Sequence, residues 1–292
     1  MNILFITNTR IGDAILSSGV LHHLVQTYPD ARFTIVCGRL PQTLFADVPR
    51  LDRVIVLKKR RFDLHWIDLW RALKSARWDV VVDLRRSFLS VFLRARQRHV
   101  IGPANDTVHR VVHLSSVLNL PRPAAPHIYV GARHEDLARA ILPPGAPVLA
   151  IAPIAAAAEK TWPAQRYAEL AAQMLAGPCA GWRLAFFGGP GDEEKAAPLL
   201  RAFPNAIKVF GEPDLLTVAA ALRACAAFIG NDSGLSHLAA AVGIPVLALF
   251  GPSDPIRYAP FGGAARFLQA PAGDISGLGV AEVVDAARGI LP

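Results

Sequence analysis

Two doubly wound α/β domains with parallel sheets are what this sequence predicts, and three observations predict them. Short, unbroken apolar runs alternate with stretches of helical periodicity, the pattern of strands buried on both faces and joined by crossover helices. The alternation runs through residues 1–143 and restarts after the break Pro143-Pro144-Gly145. A chain of 292 residues also exceeds what one hydrophobic core usually serves. The expected domains are therefore 1–143 and 144–292, facing each other across a cleft. The last helix is a candidate to pack back on the first domain.

The elements follow in order. Ile3–Thr7 is a buried strand, and the polar loop Thr7–Asp13 follows it. From Ala14 to Gln26, Ile15, Leu16, Val20, Leu21, Leu24 and Val25 recur at helical spacing. Asp13 thus stands at the carboxyl end of a strand and at a helix start, the edge where open α/β sheets bind ligands. A plain N-cap is the other reading of Asp13, but it gives Arg10 and Gly12 nothing to do. Arg32–Cys37 and Arg53–Leu57 are further strands, with a helical piece near Gln42–Asp47 between them. Lys58-Lys59-Arg60-Arg61 reads as a solvated loop. Asp63–Ala76 is an amphipathic helix and Trp78–Leu84 a buried strand. Arg85, Arg86, Arg94, Arg96 and Arg98 form the strongest basic patch, expected on the helix that follows. His99–Gly102 closes this set of strands. A helix over Asn105–Leu118 would carry His109 and His113 one turn apart, without a third metal ligand close in sequence. The proline-rich segment Pro121–Pro126 is extended, and His134–Leu142 is a helix.

In the second half the strands are Val148–Ala152, Trp182–Phe187, Ile207–Phe210, Ala226–Ile229 and Val246–Phe250. Helices are expected over Ala164–Leu175, from Asp192 onward, and over Leu215–Ala224 and Ala281–Ile290. Pro163 suits a helix's first turn, and Asp192-Glu193-Glu194 suits the positive end of a helix dipole. The sharpest local signal is Gly230-Asn231-Asp232-Ser233-Gly234-Leu235-Ser236-His237, where a strand gives way to small polar residues and then to an Ala-rich helix. Asp232 or Ser233 can cap that helix, and Gly234 lets backbone approach a ligand. The turn is either an anion cradle or an ordinarily capped helix.

Composition narrows the function classes. The hydrophobic fraction of 52% and charged fraction of 18% suit a packed globular protein. No apolar run approaches the ~20 residues of a membrane span. The N-terminus Met1–Thr7 lacks a basic leader and reads as a strand, and three scattered cysteines give neither a disulfide framework nor a zinc pattern. A cytoplasmic setting fits. The net charge of +8 is uneven: residues 1–145 hold 21 Lys and Arg against 11 Asp and Glu, whereas residues 146–292 hold 10 against 12. The basic half suits an anionic partner or a solvated surface. Neither a dinucleotide fingerprint nor a Walker loop is present; Gly188-Gly189-Pro190-Gly191 has the wrong spacing and a proline.

What remains is a carboxylate for a general base, Asp13, and a lysine with a helix N-terminus for a diphosphate, Lys160 with Asp232–His237. A carboxylate such as Glu193 suits a ribose diol. Together these fit group transfer from a nucleotide-activated donor.

The sequence resembles glycosyltransferase family nine, the ADP-heptose:lipopolysaccharide heptosyltransferases. The matching segments are Ile11-Gly12-Asp13, Lys160-Thr161-Trp162-Pro163, Asn231–Ala240 and Leu249–Pro255, and the strand–helix order agrees over most of the chain. The resemblance implies a GT-B fold, with the acceptor on the first domain and an ADP-sugar on the second. It implies inverting transfer of a heptose or related sugar to a lipopolysaccharide core acceptor, with no cofactor and no metal. Asp13 would be the general base. Lys160, Asp232, Ser233, Gly234, Leu235 and His237 would hold donor phosphate and sugar, His237 by bracing the turn. Glu193, or Glu194 beside it, would bind the ribose. Arg10, Gly12, Arg85 and Arg86 would face the acceptor. A monomer touching the anionic inner-membrane face, without nucleic acid, is expected. The family usually has hydroxyl or glycine residues before the lysine, but Pro153–Ala158 has neither. That departure prompts the alternative of a non-catalytic nucleotide-sugar or glycan-binding protein.

Overall fold

The computed structural model describes residues 1–58, 64–211 and 213–292. These form two compact units, Met1–Tyr129 and Val130–Pro292. The division falls ahead of the expected 143/144. The helix Ala132–Ile141 (α4) packs on the helix Leu215–Arg223 (α7), so it belongs to the second unit's core.

The first unit is a five-stranded parallel sheet of β1 (Asn2–Ile6), β2 (Arg32–Cys37), β3 (Leu51–Val56), β4 (Trp78–Asp83) and β5 (Ala95–Val100), in the order β3-β2-β1-β4-β5. Ile3–Ile6 and Val80–Val82 are almost wholly buried, as continuous apolar runs require. Helices α1 (Ile11–Thr27), α2 (His65–Leu73) and α3 (Arg110–Ser115) accompany the sheet. Gly19 on α1 admits the crossing segment Ala124–Ala125; a Cβ there would lie 2.1 Å from the Ala124 carbonyl oxygen.

Three expectations in this unit are corrected. The arginines after β4 lie on no helix. Arg85 and Arg86 occupy a turn, a 3-10 turn covers Phe88–Phe92, and Arg96 and Arg98 are on β5. The closing strand, expected over His99–Gly102, is β5 at Ala95–Val100; as an edge strand with mostly exposed side chains it has no apolar run to mark its bounds. The expected helix Asn105–Leu118 shrinks to α3 plus a 3-10 turn, with His109 as the N-cap whose Nδ1 accepts the Val111 N–H at 3.1 Å. Lys59, Arg60 and Arg61 lie outside the described residues; Lys58 is exposed.

A histidine pair ties α1 to the end of this unit. His22 Nδ1 lies 2.8 Å from the Tyr129 hydroxyl, and the His22 and His127 rings are 4.1 Å apart. Burial depresses both histidines below their usual 6.5, helped by the neighbouring His23 for His22 and by His22 for His127. The folded chain therefore takes up fewer protons here than the unfolded chain. This part of the stability is complete above the unfolded value and falls as pH drops through it toward the folded values. Urea midpoints should decline on acidification below about pH 6.5. His22→Gln with His127→Gln should flatten that decline; an unchanged slope would contradict the assignment.

The second unit is a six-stranded parallel sheet of β6 (Val148–Ala152), β7 (Arg183–Gly188), β8 (Ile207–Phe210), β9 (Ala227–Asn231), β10 (Val246–Phe250) and β11 (Ala265–Gln269), ordered β11-β10-β9-β6-β7-β8. Its helices are α4, α5 (Ala164–Ala176), α6 (Asp192–Ala202), α7, α8 (Gly234–Ala241), α9 (Pro255–Tyr258) and α10 (Val280–Arg288). β11 and α9 give no apolar signature and were not expected; β11 is another exposed edge strand. The last helix is also corrected. α10 packs on α5, and Val283, Val284, Ala287 and Ile290 join Trp162, Tyr167 and Leu170 in the second unit's core. All three cysteines are free and buried, and burial pushes the Cys37 and Cys225 thiols up to about 12. Among the described residues, no helix is long and apolar enough to cross a membrane.

Candidate functional site

Each sheet reverses its winding at one point, and there the loops at the strands' carboxyl ends diverge and leave room for a ligand. In the second unit the reversal lies between β6 and β9. The loop after β6 carries Lys160, and the turn after β9 carries Asp232–Leu235. The fold joins them directly: Lys160 Nζ donates to Asp232 Oδ2 at 2.7 Å, with the carboxylate side chain only 8% exposed and the lysine 34%.

This pairing changes the expected capping of α8. Neither Asp232 nor Ser233 caps the helix. Asp232 is engaged by Lys160, while Ser233 holds the N-cap position in extended backbone without a side-chain cap bond. Its Oγ is buried and has no hydrogen-bond partner among the described residues. The first N–H groups of a helix have no partner within it, so the Gly234 and Leu235 amides, the positive end of the dipole, an unpartnered hydroxyl and an ammonium converge on one strand edge. Such a set of donors can receive an anion. His237, 7% exposed, sits one turn into α8, its N–H reaching the Ser233 carbonyl at 3.4 Å.

The neighbouring loop is braced from within. Thr161 Oγ1 accepts the Ala155 N–H at 3.2 Å and donates to the Ala157 carbonyl at 3.1 Å. The Ala156 and Ala157 N–H groups have no acceptor among the described residues. The alanine run thus keeps backbone donors although it lacks hydroxyls. Gly251, after β10, lets this loop approach: a Cβ there would lie 2.9 Å from the Glu159 carbonyl oxygen.

Asn231 was not singled out as a site residue, yet it anchors the whole arrangement. It is fully buried; its Oδ1 accepts the Trp162 N–H and the Tyr167 hydroxyl, both at 3.0 Å, and its Nδ2 donates to the Pro153 carbonyl at 2.9 Å. It fastens both ends of the Lys160 loop to β9. Its partners lie 64 to 78 residues away, so no local pattern announces them. Glu193 stands apart, on the first turn of α6 after β7, 57% exposed and 3.9 Å from Lys208 Nζ. No hydrogen bond joins it to the Lys160–Asp232 pair.

In the first unit the reversal lies between β1 and β4, with Ile6 paired to Asp83. Arg10, Gly12 and Asp13 leave the end of β1; Arg85 and Arg86 leave the end of β4. The structure thus sets all five on one edge of one sheet. Asp13 does not cap α1. The N-cap is Arg10, and Asp13 is the third helical residue, its carboxylate 30% exposed and 3.9 Å from Arg110 Nε. Arg110, on α3, also meets His113 Nδ1 at 2.9 Å. It flanks the carboxylate from one side, a pairing that a separation of 97 positions keeps out of any local sequence pattern. Burial lowers the Arg85 guanidinium from the ordinary arginine range against the opposing pull of Asp83. It lies over Trp66 with one buried Nη1 unpartnered among the described residues, as is Asn8 Nδ2. Arg10 and Arg86 are exposed.

The sequence profile described as "Glycosyltransferase family 9 (heptosyltransferase)" matches residues 94–274, which include the Lys160 loop and the Asp232–Leu235 turn. The chain belongs to glycosyltransferase family 9. It is 27% identical to lipopolysaccharide heptosyltransferase 2 of Salmonella typhimurium, over 92% of this chain and 88% of that one. The family 9 glycosyltransferase structure from Veillonella parvula superposes with a TM-score of 0.86 at 24% identity, covering 99% of this chain and 96% of the other. An Escherichia coli structure, ADP-heptose LPS heptosyltransferase II, gives 0.80 at 23% identity, covering 99% and 98%. The two parallel-sheet α/β units are those of the GT-B fold. As a family 9 glycosyltransferase, the protein carries Asp13 ahead of the profile match, which begins at residue 94.

Proposed function

We propose that this family 9 enzyme transfers a heptose, or a related sugar, from an ADP-activated donor to a lipopolysaccharide core acceptor, with inversion and without a metal ion. The observation that carries the reading is the uncapped α8 N-terminus beside the Lys160–Asp232 pair. In a chain whose relatives are named lipopolysaccharide heptosyltransferases, an anion site at this strand edge suits a sugar diphosphate. Lys160, the Gly234 and Leu235 amides and the Ser233 hydroxyl take the negative charge that grows on the leaving diphosphate. These groups supply the charge stabilisation for which other enzymes use a metal. Asp232 holds Lys160 in place until donor arrives, and His237 braces the turn. Glu193 takes the ribose diol, with Glu194 beside it.

Asp13 accepts the proton of the acceptor hydroxyl as that oxygen bonds to the anomeric carbon. The bond to the diphosphate oxygen breaks on the opposite face, and ADP leaves with the electron pair. One displacement inverts the centre. Arg10, Gly12, Arg85 and Arg86 meet the acceptor; the half-buried Arg85 guanidinium, with an unused donor, suits a phosphate or acidic sugar. The protein acts as a monomer at the cytoplasmic face of the inner membrane.

Lys160→Met tests the donor side. Loss of a charge-assisted contact should weaken ADP-sugar binding by about 10- to 100-fold in calorimetry. Equal affinity in the two proteins would remove Lys160 from the phosphate site. Sugar transfer that survives chelators in full would support the metal-free reading; activity that returns only with a divalent cation would overturn it. Binding of ADP-sugar with no transfer to any core acceptor would instead favour a non-catalytic binding protein.

A further inference from the structure

The turn between β4 and β5 presents an apolar face that the protein's own core does not use. Leu89, Ser90 and Leu93 point inward and are buried, whereas Phe88, Val91 and Phe92 are 81%, 62% and 65% exposed. The outward three follow i, i+3, i+4 spacing and so share one face, with the two phenyl rings 6.4 Å apart. The segment is not a loose loop. The fully buried Asp83 carboxylate accepts the Arg85 N–H at 2.9 Å, the Ser87 N–H at 2.8 Å and the Ser87 hydroxyl at 2.6 Å. From the other side, Arg98 donates to the carbonyls of Ser90 at 3.0 Å and Ala95 at 3.3 Å, and to that of Leu93. The turn is therefore held in a shape that keeps large apolar groups in water.

Its surroundings are basic. Arg86 and Arg94 are exposed and have no carboxylate partner among the described residues; Arg96, also exposed, has Asp79 at 3.7 Å. α2 packs beside the turn, and Ile67 on it and Leu64 just before it are exposed. Exposed aromatic and aliphatic side chains amid arginines match an interface that is apolar beneath and anionic at its rim. A second copy fits poorly, because a two-fold contact would set one arginine rim against the other.

We infer that the Phe88–Phe92 turn inserts Phe88, Val91 and Phe92 into a bilayer bearing anionic phospholipid, with Arg94 and Arg96 on the headgroup phosphates. The inference rests on the proposed function in that a lipid-borne acceptor gives such docking its purpose. The inserted turn continues directly from Arg85 and Arg86, so docking brings the first unit's acceptor edge to the lipid surface.

Co-sedimentation of the full chain with phosphatidylcholine vesicles, with and without phosphatidylglycerol, tests this. At low salt, binding is expected to be at least about tenfold tighter with phosphatidylglycerol. The variant Phe88→Ser, Val91→Ser, Phe92→Ser should bind at least about tenfold more weakly at every salt concentration, because the buried apolar area is lost. Arg94→Gln with Arg96→Gln should weaken binding at low salt and match the unmodified protein at high salt. Transfer to a deacylated, water-soluble acceptor should be unchanged in the serine variant. A failure of the proposed transferase reading would appear in that soluble assay of the unmodified protein, independently of sedimentation. The inference is overturned if the serine variant sediments like the unmodified protein. It is also overturned if the turn instead supports a dimer that those serines dissolve, or binds single-stranded RNA and no vesicle.

Discussion

Asp13→Asn should lower the turnover of sugar transfer by about 10²–10⁴-fold, the loss typical when a general base is removed, while ADP-sugar binds as before. The side chains are nearly the same size, so packing around the first turn of α1 is preserved. Asp13 makes no cap bond for α1, so the helix loses no hydrogen bond. The amide cannot take the acceptor proton, and the neighbouring Arg110, 3.9 Å from Oδ1 in the parent, is left without its partner charge. Arg110 is itself 19% exposed in its side chain, so this loss is partly relieved by water. A thermal midpoint close to the parent's, unchanged donor affinity and a collapsed turnover together would assign Asp13 to chemistry. Turnover within a factor of about three would place the base elsewhere.

Asn231→Leu should be the most destabilising single change in the second unit. Leucine keeps asparagine's branching and number of side-chain heavy atoms but makes none of its hydrogen bonds, and its methyl groups are bulkier than the amide they replace. The Trp162 N–H, the Tyr167 hydroxyl and the Pro153 carbonyl would each lose a buried partner. At roughly 1–3 kcal/mol for each unsatisfied buried group, the sum over three groups is about 3–9 kcal/mol, a large share of the ~5–15 kcal/mol that holds a domain folded. Tyr167 is the sharpest case: complete burial pushes its hydroxyl well above the ordinary tyrosine range, so it stays a neutral donor that needs an acceptor. The urea midpoint of the variant should fall accordingly. Any folded fraction should bind ADP-sugar weakly, because the Lys160 loop is no longer fastened to β9. A midpoint near the parent's would mean that packing alone holds the loop.

The sequence was legible wherever burial was symmetric or chemistry was local. β1, β4, β6, β9 and β10 are central strands covered on both faces, and each appears as a continuous apolar run. The turn Asp232–Leu235 declares itself because strand, small residues and helix are contiguous. The same logic failed at β5 and β11. An edge strand has one unpaired side and exposed faces, so Ala95–Val100 and Ala265–Gln269 present polar alternation that composition cannot separate from helix or loop.

By itself, then, the chain determined two parallel-sheet α/β sets, a basic first half, and the residue types an activated-sugar transferase needs, since helical and strand periods record which faces leave water. Only the tertiary structure decided that the first unit ends at Tyr129, because α4 finds its apolar partner in α7. It alone set Lys160 on Asp232 across 72 positions and left the α8 terminus without a cap. It alone gave Asn231 its three bonds and turned Phe88, Val91 and Phe92 outward. Periodicity reports which face of an element is apolar. Which distant side chain completes a polar group is set by strand order and register, and these exist only once the chain has folded.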